Sequence, residues 1–86
     1  MKEFKYTIKD ELGIHARPAG LLAKKAKSYA GTTITLSANG KSVNPAQLMK
    51  LMALGVKKGT EVTVTCEGEG EEEASAGLLA FFEENL

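Results

Sequence analysis

The chain of 86 residues is 43% apolar and 26% charged, an ordinary globular mixture that fits one small domain over residues 1–86 and leaves no material for a second. Its one cysteine excludes an internal disulfide, no apolar run approaches the ~18 to 20 residues of a membrane span, and Met1-Lys2-Glu3-Phe4-Lys5 leads into no signal-peptide core, so a soluble protein of the reducing cytoplasm is expected. The net charge is zero but segregated, +8 over residues 1–58 and −8 over residues 59–86, which disfavours a nucleic-acid binder with its whole-domain basic excess and suits docking on an acidic protein surface.

Residues 2–8 alternate, with Phe4, Tyr6 and Ile8 on one side and Lys5, Thr7 and Lys9 on the other, the period of a half-buried strand. Asp10-Glu11-Leu12-Gly13 breaks it. From Ala16 the period becomes 3.6, with Ala19, Leu22, Ala23, Ala26 and Tyr29 on one face. Pro18 falls in the first turn, where its missing N–H costs nothing, and this first helix is expected to end near Ala30-Gly31. Thr32 to Ser37 alternates again with Ile34 and Leu36 inward, Asn39-Gly40 supplies a tight hairpin turn, and Lys41 to Val43 forms a short return strand.

Asn44-Pro45-Ala46-Gln47 reads as the start of a second helix, Asn at the N-cap, Pro at the first helical position and Gln at the third, and Gly55 stops it after Leu54. Thr60 to Glu67 is the last strand, with Val62, Val64 and Cys66 on one face. Beyond Gly68-Glu69-Gly70, three glutamates from Glu71 to Glu73 place negative charge on the first turn of a third helix, where the dipole favours it, and Leu78, Leu79 and Phe82 form its core stripe. The order β-α-β-β-α-β-α predicts an α+β domain with its helices on one face of an antiparallel sheet.

The one histidine stands immediately before the first helix, in Gly13-Ile14-His15-Ala16-Arg17-Pro18-Ala19. A helix start presents unpaired backbone N–H groups and about half a positive charge, a ready anion site. Pro18 has no N–H, so the donors expected nearest His15 are those of Ala16, Arg17 and Ala19, and the Arg17 guanidinium is a planar fork suited to phosphate oxygens. The positive helix end disfavours an imidazolium, which leaves the ring a lone pair and makes it a nucleophile, the alternative being an exposed histidine with no role. If the ring attacks a phosphorus centre, the helix end and Arg17 stabilise the acquired charge, and a helix-end contribution of only about 0.3 to 2 kcal/mol would suit a carrier that must hand its cargo on.

Opposite its apolar face the first helix carries a second stripe, Arg17, Gly20, Lys24 and Lys27. Glycine inside a helix costs about 1 kcal/mol relative to alanine, and close approach by a partner explains Gly20. The second helix is apolar nearly all round, with only Gln47 and Lys50 against Leu48, Met49, Leu51, Met52 and Leu54. Leu51 and Leu54 are expected in the core, and Leu48, Met49 and Met52 in an exposed patch beside His15, where methionine adapts to several partners. The alternatives place the whole set in the core and treat Lys24-Lys25 and Lys57-Lys58 as solvated surface. Cys66 reads as a buried, inert thiol, and the adjacent glutamates of residues 69–73 diverge, so no metal site is expected.

Gly13 to Ala19 resembles the motif of the HPr family, the histidine-containing phosphocarriers of the bacterial phosphoenolpyruvate-dependent sugar phosphotransferase system. The likeness extends through Gly40-Lys41-Ser42-Val43-Asn44, Leu48 to Gly55 and the order of elements. The resemblance implies an open-faced β-sandwich, four antiparallel strands covered on one face by three helices. It implies that His15 accepts a phosphoryl group on ring Nδ1 from phosphorylated enzyme I, with Arg17 as the phosphate clamp, and delivers it to the enzyme IIA components of sugar permeases. Gly20, Lys24, Lys27, Gln47, Leu48, Met49 and Met52 would form the partner surface. Such a chain is a carrier and not an enzyme, holds no metal or organic cofactor, and works as a cytoplasmic monomer with no nucleic acid and no membrane insertion.

The chain departs from the family pattern at three places. Gln47 stands where relatives from low-GC Gram-positive bacteria have a regulatory serine, and a carboxamide cannot take that phosphoryl group. Leu12 replaces a small polar residue near the phosphohistidine, and the connection from the first helix to the second strand is one residue longer. A second reading is an HPr-like regulatory binding module that uses His15 phosphorylation as a signal. A third, a nucleic-acid binder, needs aromatics on the open sheet face, where Tyr6 is the one candidate.

Overall fold

The computed structural model describes residues 1–86 and has seven elements: β1 (Lys2–Thr7), α1 (Ala16–Lys27), β2 (Thr32–Ala38), β3 (Lys41–Val43), α2 (Leu48–Ala53), β4 (Glu61–Gly68) and α3 (Glu71–Asn85). The strands form one antiparallel sheet in the order β1-β4-β2-β3, so the last strand of the chain lies between the first and the second. Val64 faces Phe4 on one side and Leu36 on the other, and strands flank β4 along both edges. Its alternate residues Val62, Val64 and Cys66 are accordingly buried, as the two-residue period requires.

These side chains, with Ile34, Leu36 and Ala38 of β2, meet Ala19, Leu22 and Ala26 of α1, Leu51 of α2, and Ala74, Leu78 and Phe82 of α3 in one hydrophobic core. The reverse face carries Thr33, Thr35, Ser37, Thr63 and Thr65, none of them buried, and stays open. The expected open-faced, three-helix architecture is therefore the one observed. Phe82 anchors α3 on β1, its ring edge-on to Phe4 at 5.7 Å and to Tyr6 at 5.6 Å between centroids. Burying such a ring stabilises by about 1.5–3 kcal/mol, and each edge-on pair adds about 0.5–1.5 kcal/mol. Tyr6 thus belongs to the core side, and the open face carries no aromatic platform on which bases stack.

The hairpin forms as the Asn-Gly pair demands: Asn39 (φ 52°) and Gly40 (φ 77°) both take left-handed backbone, and Ala38 pairs with Lys41 across a two-residue loop. The Asn39 side chain donates from Nδ2 to the Leu54 carbonyl at 3.1 Å and ties this turn to the end of α2, which Gly55 (φ 68°) closes.

Two helix boundaries and one core stripe differ from the sequence reading. Helix α1 stops at Lys27, because the Ser28 hydroxyl takes the Lys25 carbonyl and the Ser28 and Tyr29 amides form shorter bonds to Lys25 and Ala26, tightening the last turn. Helix α2 begins one turn later than expected, with Gln47 and not Asn44 at its N-cap. Asn44 accepts from the Ala46 amide through Oδ1 (2.9 Å) and from the Gln47 amide through its carbonyl (2.9 Å), a closed turn followed by extended backbone at Gln47. On α3 the buried stripe is Ala74, Leu78 and Phe82, and Leu79 is only half-buried.

Candidate functional site

The loop from β1 to α1 is held by main-chain hydrogen bonds from several parts of the chain. The Asp10 amide donates to the Leu86 carbonyl (2.8 Å), the Gly13 amide to the Asp10 carbonyl (2.9 Å), and the Ile14 amide to the Val56 carbonyl (3.1 Å). Gly13 sits at φ 66°, and a Cβ there would collide with the Val56 carbonyl oxygen, so only glycine lets the loop lie against the connection between α2 and β4. Ile14 is buried behind it, and His15 is carried outward as the next residue.

His15 is the N-cap of α1, with extended backbone (φ −106°, ψ −178°) and no side-chain capping bond. Its imidazole is 36% exposed and so open to a reactant. The His15 carbonyl accepts from the Ala19 amide at 2.9 Å. Ala19 is thereby removed from the expected donors, since it is the first residue whose i−4 carbonyl is the N-cap's own. The amides of Ala16 and Arg17 find no backbone acceptor in the chain, and Pro18 brings none. A two-donor cradle at a positive helix end therefore lies directly after the ring.

A cleft of about 250 Å³ opens here, lined by Asp10, His15, Arg17, Pro18, Leu21 and Asn85. Arg17 is exposed and forms no ion pair, whereas Oδ1 of Asp10 lies 3.8 Å from Nε2 of His15. Asp10, Leu21 and Asn85 are not among the site residues expected from the sequence. Asp10 is legible only as a turn former; Leu21, four residues after Arg17, shares the basic face of α1 as an apolar residue outside the charged stripe; Asn85 arrives from the far end of the chain by tertiary packing, for which no local pattern exists.

The expected partner residues lie on exposed surface. Arg17, Lys24 and Lys27 are exposed along α1, Gly20 is half-buried, and a Cβ built on Gly20 meets nothing within 4 Å, so packing within the chain does not require glycine there. On α2, Leu48, Met49 and Met52 are 39%, 81% and 41% exposed, Gln47 is exposed, and Leu51 and Leu54 are buried. Few ion pairs link the basic and acidic parts of the chain: the one Lys–Glu pair is Lys2–Glu72 at 3.6 Å, beside the amino terminus on Glu71 at 2.8 Å. The lysines of α1 have no acidic partner within reach.

Cys66 is buried in the core, and burial, aided by the Glu71 charge, pushes its thiol up, away from the reactive thiolate. No group of three or more His, Cys, Asp or Glu is placed to hold a metal ion, and no helix is long and apolar enough to cross a membrane.

Compared with known proteins, residues 2–84 match the family model described as the PTS HPr component phosphorylation site. The phosphocarrier protein HPr of Mycoplasma genitalium is 38% identical over 85 residues, 99% of this chain and 97% of that one. The crystal structure of HPr-C-His from Thermoanaerobacter tengcongensis superposes with a TM-score of 0.90 at 38% identity, covering 96% of this chain and 92% of that one. Crh of Bacillus subtilis, named a catabolite repression protein and described as a dimer with a swapped domain, superposes with a TM-score of 0.75 at 37% identity, covering 100% and 98%.

Proposed function

The chain belongs to the HPr family of phosphocarrier proteins of the phosphotransferase system, and from that premise we propose that His15 receives a phosphoryl group from phosphorylated enzyme I and passes it to enzyme IIA components of sugar permeases. The observation that carries the proposal is the juxtaposition of a half-exposed imidazole at the start of α1 with the free amides of Ala16 and Arg17 and the unpaired Arg17 guanidinium. In the forward step the Nδ1 lone pair attacks phosphorus, the Nδ1–P bond forms, and the bond from phosphorus to the donor breaks with its electron pair returning to the donor. The two amides and the guanidinium hold the phosphoryl oxygens. Delivery is the same step with His15 as the leaving group. The chain is turned over by its partners and needs no cofactor of its own.

Partners dock on Gly20, Lys24 and Lys27 of α1 and on Gln47, Leu48, Met49 and Met52 at α2, a basic stripe and an apolar patch on two helices that pack together. The chain works as a monomer in the cytoplasm. Incubation with enzyme I, Mg²⁺ and phosphoenolpyruvate is expected to give one acid-labile phosphoramidate per chain by phosphorus NMR, absent in His15→Ala. A wild-type chain that takes no label overturns the carrier reading.

The likeness to Crh favours a second reading, a regulatory module in which phosphorylated His15 is a signal. Gln47 at the position of the family's regulatory serine removes one route to such control. The two separate on delivery, since a carrier loses its phosphoryl group to an enzyme IIA protein within seconds and a regulator retains it.

A further inference from the structure

We propose that Asp10 is a positioning residue for the phosphoryl transfer: its carboxylate holds a proton on Nε2 of His15, directs the Nδ1 lone pair to phosphorus, and keeps the phosphorylated ring ready to leave. This rests on His15 being the phosphoryl acceptor. The carboxylate is itself fixed. Oδ1 accepts from the Leu12 amide at 2.8 Å, the Asp10 amide donates to the Leu86 carbonyl, the Asp10 carbonyl accepts from the Gly13 amide, and the same Oδ1 then lies 3.8 Å from Nε2. The Leu12 side chain is 70% exposed, and the residue serves this turn through its main chain. Among the groups lining the cleft around the ring, only Asp10 and Arg17 carry charge, since Pro18, Leu21 and Asn85 are neutral. Arg17 and the helix end are positive, so Asp10 is the one acidic side chain lining the cleft beside the imidazole.

The chemistry follows from where the proton sits. An anion beside Nε2 favours the tautomer with hydrogen on Nε2, which leaves Nδ1 as the acceptor atom. When the Nδ1–P bond forms, the ring becomes cationic, and a carboxylate a few ångströms from Nε2–H stabilises that charge, as a buried aspartate does for the histidine of a catalytic triad. On delivery the Nδ1–P bond breaks and its electron pair returns to Nδ1. With the Nε2 proton in place the leaving group is neutral imidazole; without it, imidazolate, a far poorer one. Asp10 therefore acts mainly on phosphoryl release.

The test uses the isolated chain phosphorylated by phosphoramidate, with no partner protein, comparing wild type and Asp10→Asn. Asparagine keeps the acceptor oxygen for the Leu12 amide and removes only the charge. Decay of the phosphoramidate is followed by phosphorus NMR from pH 5 to pH 9. The expected result is that Asp10→Asn survives roughly fivefold longer around neutral pH, the factor one unit charge about 4 Å away supplies in a water-like dielectric, with the two decay curves merging in acid where both rings are fully protonated. Coincident curves at every pH overturn the proposal. So does a ratio that persists unchanged in acid, which marks a structural effect of the loop. A wild-type chain that takes no phosphoryl group from phosphoramidate or from enzyme I, by contrast, removes the reading of His15 on which the proposal stands.

Discussion

His15 occupies an N-cap without acting as one. Serine, threonine, aspartate or asparagine there would accept a hydrogen bond from the first-turn amides, a contribution of about 0.5–2 kcal/mol, and the imidazole makes no such bond. The stability forgone leaves the Ala16 and Arg17 amides for an incoming anion. Arg17 is free in the same sense, exposed and without a carboxylate partner. Because it supports no part of the fold, Arg17→Ala is expected to leave unfolding by urea within about 0.5 kcal/mol of wild type. Loss of its charged hydrogen bonds to the phosphoryl group, about 1.5–3 kcal/mol, should slow phosphoryl acceptance roughly tenfold to a hundredfold. Stopped-flow transfer from enzyme I checks this, and unchanged kinetics would take Arg17 out of the mechanism.

Among the helices α2 is the shortest. It has six residues, one face that Leu51 buries, and a glutamine at its N-cap that makes no capping bond. Gln47→Asp supplies an acceptor at a position whose extended backbone already suits a cap, and should raise the unfolding free energy by about 0.5–1 kcal/mol in urea melts. The same helix shows what a sequence can and cannot disclose. Leu51 inward against Met49 outward was readable from the 3.6-residue period, as were Val62, Val64 and Cys66 from the two-residue period, because each depends on its own element alone. The start of α2 was not, because Asn44-Pro45-Ala46-Gln47 satisfies a turn and a helix cap equally well until the Ala46 and Gln47 amides choose their acceptors. At the site, His15 and Arg17 were legible from a seven-residue segment. Asp10 was hidden as an ordinary turn residue, and Asn85 lies 70 positions from His15, joined to it only by the way α3 crosses the sheet.

At the scale of the molecule, few ion pairs join the basic residues of the chain to its acidic C-terminal third. The lysines and Arg17 of α1 form no ion pair with an acid, while the acids of the C-terminal third meet the start of β1 through Glu71 and Glu72 alone. Hydrogen bonds from the amino terminus and the Gly68 amide hold the Glu71 carboxyl below its ordinary value. An approaching acidic surface is thus drawn to α1. Reversing two of its charges, Lys24→Glu with Lys27→Glu, should cut the rate of transfer from enzyme I roughly tenfold at low ionic strength, a loss that shrinks as salt screens the field. Phosphorylation by small phosphoramidate should be unaffected, and an equal loss with both donors would show damage to the cleft and not to docking.

Thr33, Thr35, Thr63 and Thr65 give the sheet a back of hydroxyl groups with no helix over it and no residue of the proposed chemistry upon it. Such a surface holds water and offers passing neighbours little apolar grip. It is the natural place to fasten a dye, a bead or a fused domain, since a molecule moored there still turns its imidazole toward the surrounding liquid.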